Sequence, residues 1–248
     1  MERIGHYIGG KHVPGESGRR GPVFDPATGE QTHEVDFADT AELGMAVETA
    51  REALPAWRAT SLSKRADIMF RIRELLEVRK IDVATVLTSQ HGKVISDAMG
   101  EVQRGLENVE YATAIPHLLK GGFSEQVSTG VDVFEIRQPL GVVAGITPFN
   151  FPAMVPIWMC ANAMACGNTF ILKPSEKDPG AALVLAELFA DAGLPDGVFN
   201  VVQGDKVAVD AILEHPDIRA VSFVGSTPIA RYIYTNGQAN GKSAQALG

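Results

Sequence analysis

From Gly141 onward, short apolar runs alternate with helical segments in the order β-α-β-α-β-α-β-α-β. The runs fall at 141–147, 168–173, 198–202, 219–225 and 242–247, and the helices begin near Pro152, Pro179, Asp205 and Thr227. Val142-Val143-Ala144 and Phe170-Ile171-Leu172 are apolar on both faces, as parallel strands covered by helices on both sides must be. Parallel neighbours need crossover connections, which the intervening helices supply. The expected fold is therefore α/β, a Rossmann-like doubly wound parallel sheet. In such sheets ligands bind beyond the carboxyl ends of the strands.

The preceding residues follow other periods. Tyr7 to Glu34 is rich in Gly, Pro and charge and reads as short strands and turns, with a turn at Asp25-Pro26-Ala27-Thr28-Gly29-Glu30. Asp39 with Glu42 forms a capping box for a first helix, which carries Ala46, Val47, Ala50 and Leu54 on one face and is expected to end at Pro55. A second helix starts near Ser61 and runs through Ile68, Ile72, Leu75 and Leu76. A third covers Ile81 to Gln90 with Gly92 as its stop, and a fourth runs from about Ser96 to Leu119, ending at Gly121-Gly122. Gln126 to Gln138 breaks the pattern. Val127, Thr129, Val131, Val133, Phe134 and Ile136 are strand formers, and Gly130 supplies a turn, so a two-stranded excursion is expected. The chain thus divides into an N-terminal helical part at 1–125, the β excursion at 126–138 and the sheet core at 139–248.

Bulk properties remove several classes of function. The 248 residues carry a net charge of −8, which is the wrong sign for a nucleic-acid-binding face. Phe149 to Cys166 is uncharged, but Pro152, Pro156, Asn150 and Asn162 interrupt it, so it reads as a buried helix rather than a membrane span. No apolar signal region follows Met1. Cys160 and Cys166 read as packed thiols in a reducing, cytoplasmic compartment. The six histidines have no metal-ligand spacing, so no metal is expected. Ser175 and Ser226 have neither a neighbouring base nor a Gly-x-Ser-x-Gly elbow.

Three polar clusters stand just past expected strand ends. Lys173-Pro174-Ser175-Glu176 places an ammonium and a carboxylate where they can meet a ribose or a phosphate; the plain alternative is a surface turn with a salt bridge. A carboxylate at that place disfavours a 2′-phosphate and so favours NAD over NADP. Phe223-Val224-Gly225-Ser226-Thr227-Pro228 runs from a strand into a helix start, which either attracts phosphate or is an ordinary capped helix. Asn150, between aromatics and prolines, either donates its side-chain N–H to a developing oxyanion or bonds its own backbone in a turn.

Taken together, these segments resemble the aldehyde dehydrogenase superfamily. The resemblance is carried by Pro148-Phe149-Asn150-Phe151-Pro152, Gly167-Asn168-Thr169, Lys173-Pro174-Ser175-Glu176, Gly193-Leu194-Pro195 with Gly197-Val198-Phe199-Asn200-Val201-Val202, and Phe223-Val224-Gly225-Ser226-Thr227, in order and in register. Gln138 to Pro156 and Gln245 to Gly248 look most like the CoA-acylating methylmalonate-semialdehyde branch. The resemblance implies NAD as cofactor, CoA as co-substrate, a small semialdehyde as substrate and a homo-oligomer. It also implies an oxyanion role for Asn150, nicotinamide and pyrophosphate contacts for Thr147 and Phe149, and adenosine-ribose contacts for Lys173 and Glu176 with Lys177 adjacent. Ser226 would contact the pyrophosphate, and residues 126–138 would be an oligomerisation arm.

Two departures sharpen this expectation. The family's nucleophilic Cys belongs to a second domain beyond the position of Gly248, and neither Cys160 nor Cys166 corresponds to it. The chain accordingly reads as a truncated one, inactive alone. Hydrolysing members carry a water-activating Glu where Ala246 stands; without that base, release by a thiol such as CoA is favoured. A hydrolysing enzyme and a catalytically inactive assembly module are the competing expectations.

Overall fold

The computed structural model describes residues 2–248. Five short strands open the chain: β1 (Glu2–Ile4), β2 (His6–Ile8), β3 (Lys11–Val13), β4 (Arg20–Asp25) and β5 (Glu30–Asp36). Helices α1 (Thr40–Ala59), α2 (Leu62–Val78), α3 (Lys80–His91), α4 (Ile95–Thr113) and α5 (Ile115–Leu118) follow, then the ribbon β6 (Phe123–Ser128) and β7 (Val131–Phe134). The remainder alternates as expected: β8 (Val142–Ile146), α6 (Met154–Ala165), β9 (Thr169–Lys173), α7 (Gly180–Asp191), β10 (Phe199–Val201), α8 (Lys206–Glu214), β11 (Ile218–Val224), α9 (Thr227–Ala239) and β12 (Ser243–Leu247).

The main sheet has the order β12-β11-β8-β9-β10-β2-β3. Strands β8 to β12 are parallel, as the doubly wound reading requires. From β8 the chain first builds outward through β9 and β10, then returns to lay β11 and β12 on the other side of β8. The winding direction therefore reverses between β8 and β11, the switch point at whose carboxyl side such sheets place a ligand. The sheet is not confined to residues 139–248, because β2 pairs antiparallel with β10 and extends it. Alternate side chains divide the core in two. Val143, Phe170 and Leu172 pack on one face with residues of α2, α3, α4, α6 and α7; Val142, Ala144, Ile146 and Ile171 pack on the other with α1, α8 and α9.

Helix α6 is apolar almost throughout, and side chains from other helices bind its C-terminal carbonyls. Arg65 donates from Nη1 to the Ala165 carbonyl at 2.8 Å, which places a cation at the negative end of the helix dipole. Trp57 Nε1 donates to the Met164 carbonyl at 3.0 Å. Gly167 follows at φ +94°, and a Cβ there would stand 2.5 Å from Arg65 Nη1, so only glycine fits. Cys160 is fully buried and Cys166 partly so; both thiols are free and burial raises the pKa of each, which agrees with the packing reading.

Two helix boundaries differ from expectation. Pro55 does not end α1, which continues to Ala59 with Pro55 inside it. The two residues beyond it bring Trp57 into the core at 1% exposure, and this tertiary anchor outweighs the one backbone bond that proline removes. The expected fourth helix is divided at Ala114 into α4 and the single turn α5, whose second residue is Pro116. Other local signals hold. Asp39 and Glu42 form both bonds of the capping box, Ser61 caps α2, and Gly92 ends α3 at φ +86°. The two-stranded excursion starts at Phe123 and ends at Phe134. Among the described residues it pairs only with itself, and every residue of both strands is exposed.

Candidate functional site

Strands β8 and β9 end side by side, with Ile146 opposite Lys173. The next residue, Thr147, donates its N–H to the Lys173 carbonyl at 3.1 Å, so the chain leaving β8 stays against the chain leaving β9. Thr147 is buried and its hydroxyl has no partner among the described residues. Phe149 and Asn150 emerge into solvent. Among the described residues the Asn150 side chain makes no hydrogen bond, so the self-bonded turn is not what forms. An amide with a free N–H₂ is left at a strand end.

Lys173 is buried along its stem, and its Nζ lies 3.2 Å from Glu176 Oε2. The salt bridge of the plain alternative is therefore present, but on a buried lysine at the sheet rather than on a surface turn. Burial lowers the Lys173 pKa, and the Glu176 carboxylate opposes that shift. Lys177 is exposed, and its ammonium stands 4.5 Å from the centroid of the Phe149 ring, a cation–π contact. Ser226 is the N-cap residue of α9, with Pro228 in the first turn; its side chain makes no capping bond. Because β11 lies beside β8, this uncapped helix start stands at the switch point of the sheet, next to the end of β8. The fold thus brings the ends of β8, β9 and β11, with all the expected residues, to one edge of the sheet.

The end of α3, the segment after it and α4 add residues that the sequence did not assign to a site; His91-Gly92-Lys93 reads there only as a helix C-terminus with a cation suited to the dipole. A cavity of about 470 Å³ beside Asn150 is lined by His91, Lys93, Asp97, Arg104 and Phe151. His91 stacks on Phe149 at 6.4 Å between centroids, and burial lowers its pKa. The Arg104 guanidinium stands 5.7 Å from the Phe151 ring centroid. Lys93 pairs with the fully buried Glu101 and also donates to the Asn150 carbonyl at 3.0 Å. Glu101 was visible as an anomaly, an acid on the apolar stripe formed by Ala98, Val102, Gly105, Leu106 and Val109.

Residues 12–247 match the model of the aldehyde dehydrogenase family. The chain belongs to the aldehyde dehydrogenase family. It is 54% identical over its whole length to the malonate-semialdehyde dehydrogenase of Pseudomonas aeruginosa, half of which it covers. Two solved structures described as methylmalonate-semialdehyde dehydrogenases superpose closely. One, from Sinorhizobium meliloti and complexed with NAD, gives a TM-score of 0.97 at 55% identity, covering 98% of this chain and 50% of that one. The other, from Oceanimonas doudoroffii, gives 0.98 at 55% identity, covering 100% and 51%. This aldehyde dehydrogenase chain therefore spans about half the length of the relatives it matches. No helix among its described residues is long and apolar enough to cross a membrane.

Proposed function

We propose that these residues form the cofactor-binding part of an NAD-dependent, CoA-acylating dehydrogenase for malonate or methylmalonate semialdehyde. The observation that carries it is the unpaired Asn150 amide, set at a strand end between a nucleotide-type site and a cavity with a cationic wall. This edge of the sheet suits NAD on its own chemistry. Lys173 offers a buried ammonium, Glu176 an acceptor for paired ribose hydroxyls, and the uncapped start of α9 at Ser226 offers free N–H groups to the pyrophosphate. Thr147 brings a buried, unpartnered hydroxyl to the same edge, and Phe149, with Lys177 against its ring, forms the exposed rim.

When bound, NAD supplies the hydride acceptor. Asn150 donates its side-chain N–H to the aldehyde oxygen as charge develops there under thiol attack. The thiol belongs to the domain that the family resemblance places beyond Gly248. The residue matching the water-activating Glu is Ala246, a methyl group, so a thioester formed at this site keeps until a thiol displaces it. Arg104, on the cavity wall with Asn150, is the charge that a carboxylate-bearing aldehyde would meet. The fully exposed β6–β7 ribbon, with Phe123 and Phe134 packed at 4.9 Å, is the surface on which a second subunit would pair. Two free thiols, Cys160 buried and Cys166 partly buried, fit a reducing, cytoplasmic setting.

Product analysis of the full enzyme tests this. Acyl-CoA is expected, formed only when CoA is present. A free acid released equally fast without CoA sinks the CoA-acylating assignment.

A further inference from the structure

Resting on the role given above to Asn150, we propose that Lys93 and Glu101 are positioning residues that hold this amide where the developing oxyanion needs it. The stretch from Thr147 to Ala153 connects β8 to α6 without forming strand or helix. Its fixation has to come from elsewhere, because the Asn150 side chain itself bonds to nothing among the described residues.

Helix α4 and the segment that joins it to α3 supply that fixation through one ion pair. Lys93 Nζ donates to the Asn150 carbonyl at 3.0 Å, lies 4.8 Å from the centroid of the Phe151 ring and pairs with Glu101 Oε2. The other oxygen of the same carboxylate, Glu101 Oε1, accepts the N–H of Ala153 at 2.8 Å and of Met154 at 3.1 Å. Ala153 is the N-cap of α6 and has no side chain that could accept these bonds, so the cap arrives from α4. The backbone is thus held at 150 by the ammonium and at 153 and 154 by the carboxylate, with Phe151 between them. A pair serving stability alone would need only the α6 cap. The bond to the carbonyl of Asn150 itself is what ties the pair to the position of the donor.

The test compares variants of the full enzyme. Lys93→Met is expected to lower kcat by about 10- to 100-fold, the scale of a sub-ångström to 1 Å misplacement. The affinity for NAD should change far less than kcat, because Lys173, Glu176 and Ser226 sit on other elements, and only Thr147 and Phe149 share the loop with Asn150. Lys93→Arg should recover most of kcat, since it can bond both the carboxylate and the carbonyl. Lys93→Met leaves Glu101 buried and uncompensated, so the double variant Lys93→Met/Glu101→Gln removes both charges together; it should melt close to wild type and still show the kcat loss. A double variant with wild-type kcat overturns the proposal. Asn150→Ala separates the two levels. If it leaves kcat unchanged, the role of Asn150 fails and the positioning role fails with it. If it abolishes turnover while the Lys93 variants keep theirs, only the positioning role fails.

Discussion

Lys173 Nζ lies 3.2 Å from Glu176 Oε2, across the turn that leaves β9. The lysine stem is buried in the sheet while the carboxylate stays partly open to solvent, with 6% and 43% of the two side chains exposed. The pair therefore anchors an acceptor at the sheet edge without burying it. Burial alone would favour a neutral amine on Lys173, and the neighbouring carboxylate opposes this.

Glu176→Gln should weaken NAD binding and narrow the preference for NAD over NADP. Removing the negative charge removes repulsion of a 2′-phosphate, and a change of about 1.4 kcal/mol in the difference corresponds to tenfold. Calorimetric titration with the two nucleotides reads this directly. An unchanged ratio of dissociation constants would remove Glu176 from cofactor selection.

Asp178, on the same turn, gives a pH dependence. It is 2% exposed, its Oδ1 has no partner, and burial pushes its carboxyl up to about 8, against a hydrogen bond with Ser175 that lowers it. In the unfolded chain the same group titrates near 3.9. Between those values the folded chain holds a proton that the unfolded chain releases, so this group's contribution to stability falls as pH rises through about 8. Urea unfolding at about pH 5, 7 and 9 should show wild type losing more stability than Asp178→Asn over that range. Parallel curves would show that the carboxyl ionises at its ordinary pH.

Arg104→Leu should lower kcat/KM for malonate semialdehyde by about 10- to 100-fold, the worth of a charge-assisted contact. Propanal, which lacks the carboxylate, should be affected far less. Steady-state kinetics with both aldehydes decide it, and equal losses would assign Arg104 to packing against Phe151 instead.

The β6–β7 ribbon can be tested by mass. Phe134 is 70% exposed and Ile136, just past β7, 77%, which leaves an apolar surface uncovered among the described residues. Phe134→Glu should shift the protein to a smaller species in sedimentation. A wild type that is already monomeric would remove the oligomerisation role.

What could be read from sequence here was local. The strands of the core announce themselves by apolar residues on both faces, and Asp39, Ser61 and Gly92 by the backbone groups that helix ends leave open. Lys173 and Glu176 draw attention in the sequence because strand ends are where such sheets bind ligands. Pro55 misled because the continuation of α1 depends on the pocket that receives Trp57, which is built from other elements. Lys93 reads in the sequence only as a cation at a helix C-terminus and Arg104 is not singled out, since their partners are loops and backbone atoms brought near only by folding. Glu101 could have been flagged as a misplaced charge, but not as a helix cap, because the groups it caps are amides about fifty residues away.

The antiparallel pairing of β2 with β10 also bears on how the molecule assembles. The Gln203 N–H reaches His6 Nδ1 across 197 residues of chain, and Tyr7 pairs with Val201. During synthesis at roughly 5–20 residues per second, β2 waits on the order of 10–40 s for its partner. Closing so long a loop costs entropy before any contact rewards it. Tyr7 and Ile8, buried in the finished sheet, spend that interval in water. The early residues thus join the sheet only after β8, β9 and β10 are made, and substitutions there are expected to act on the yield of folded protein more than on the strand-end residues.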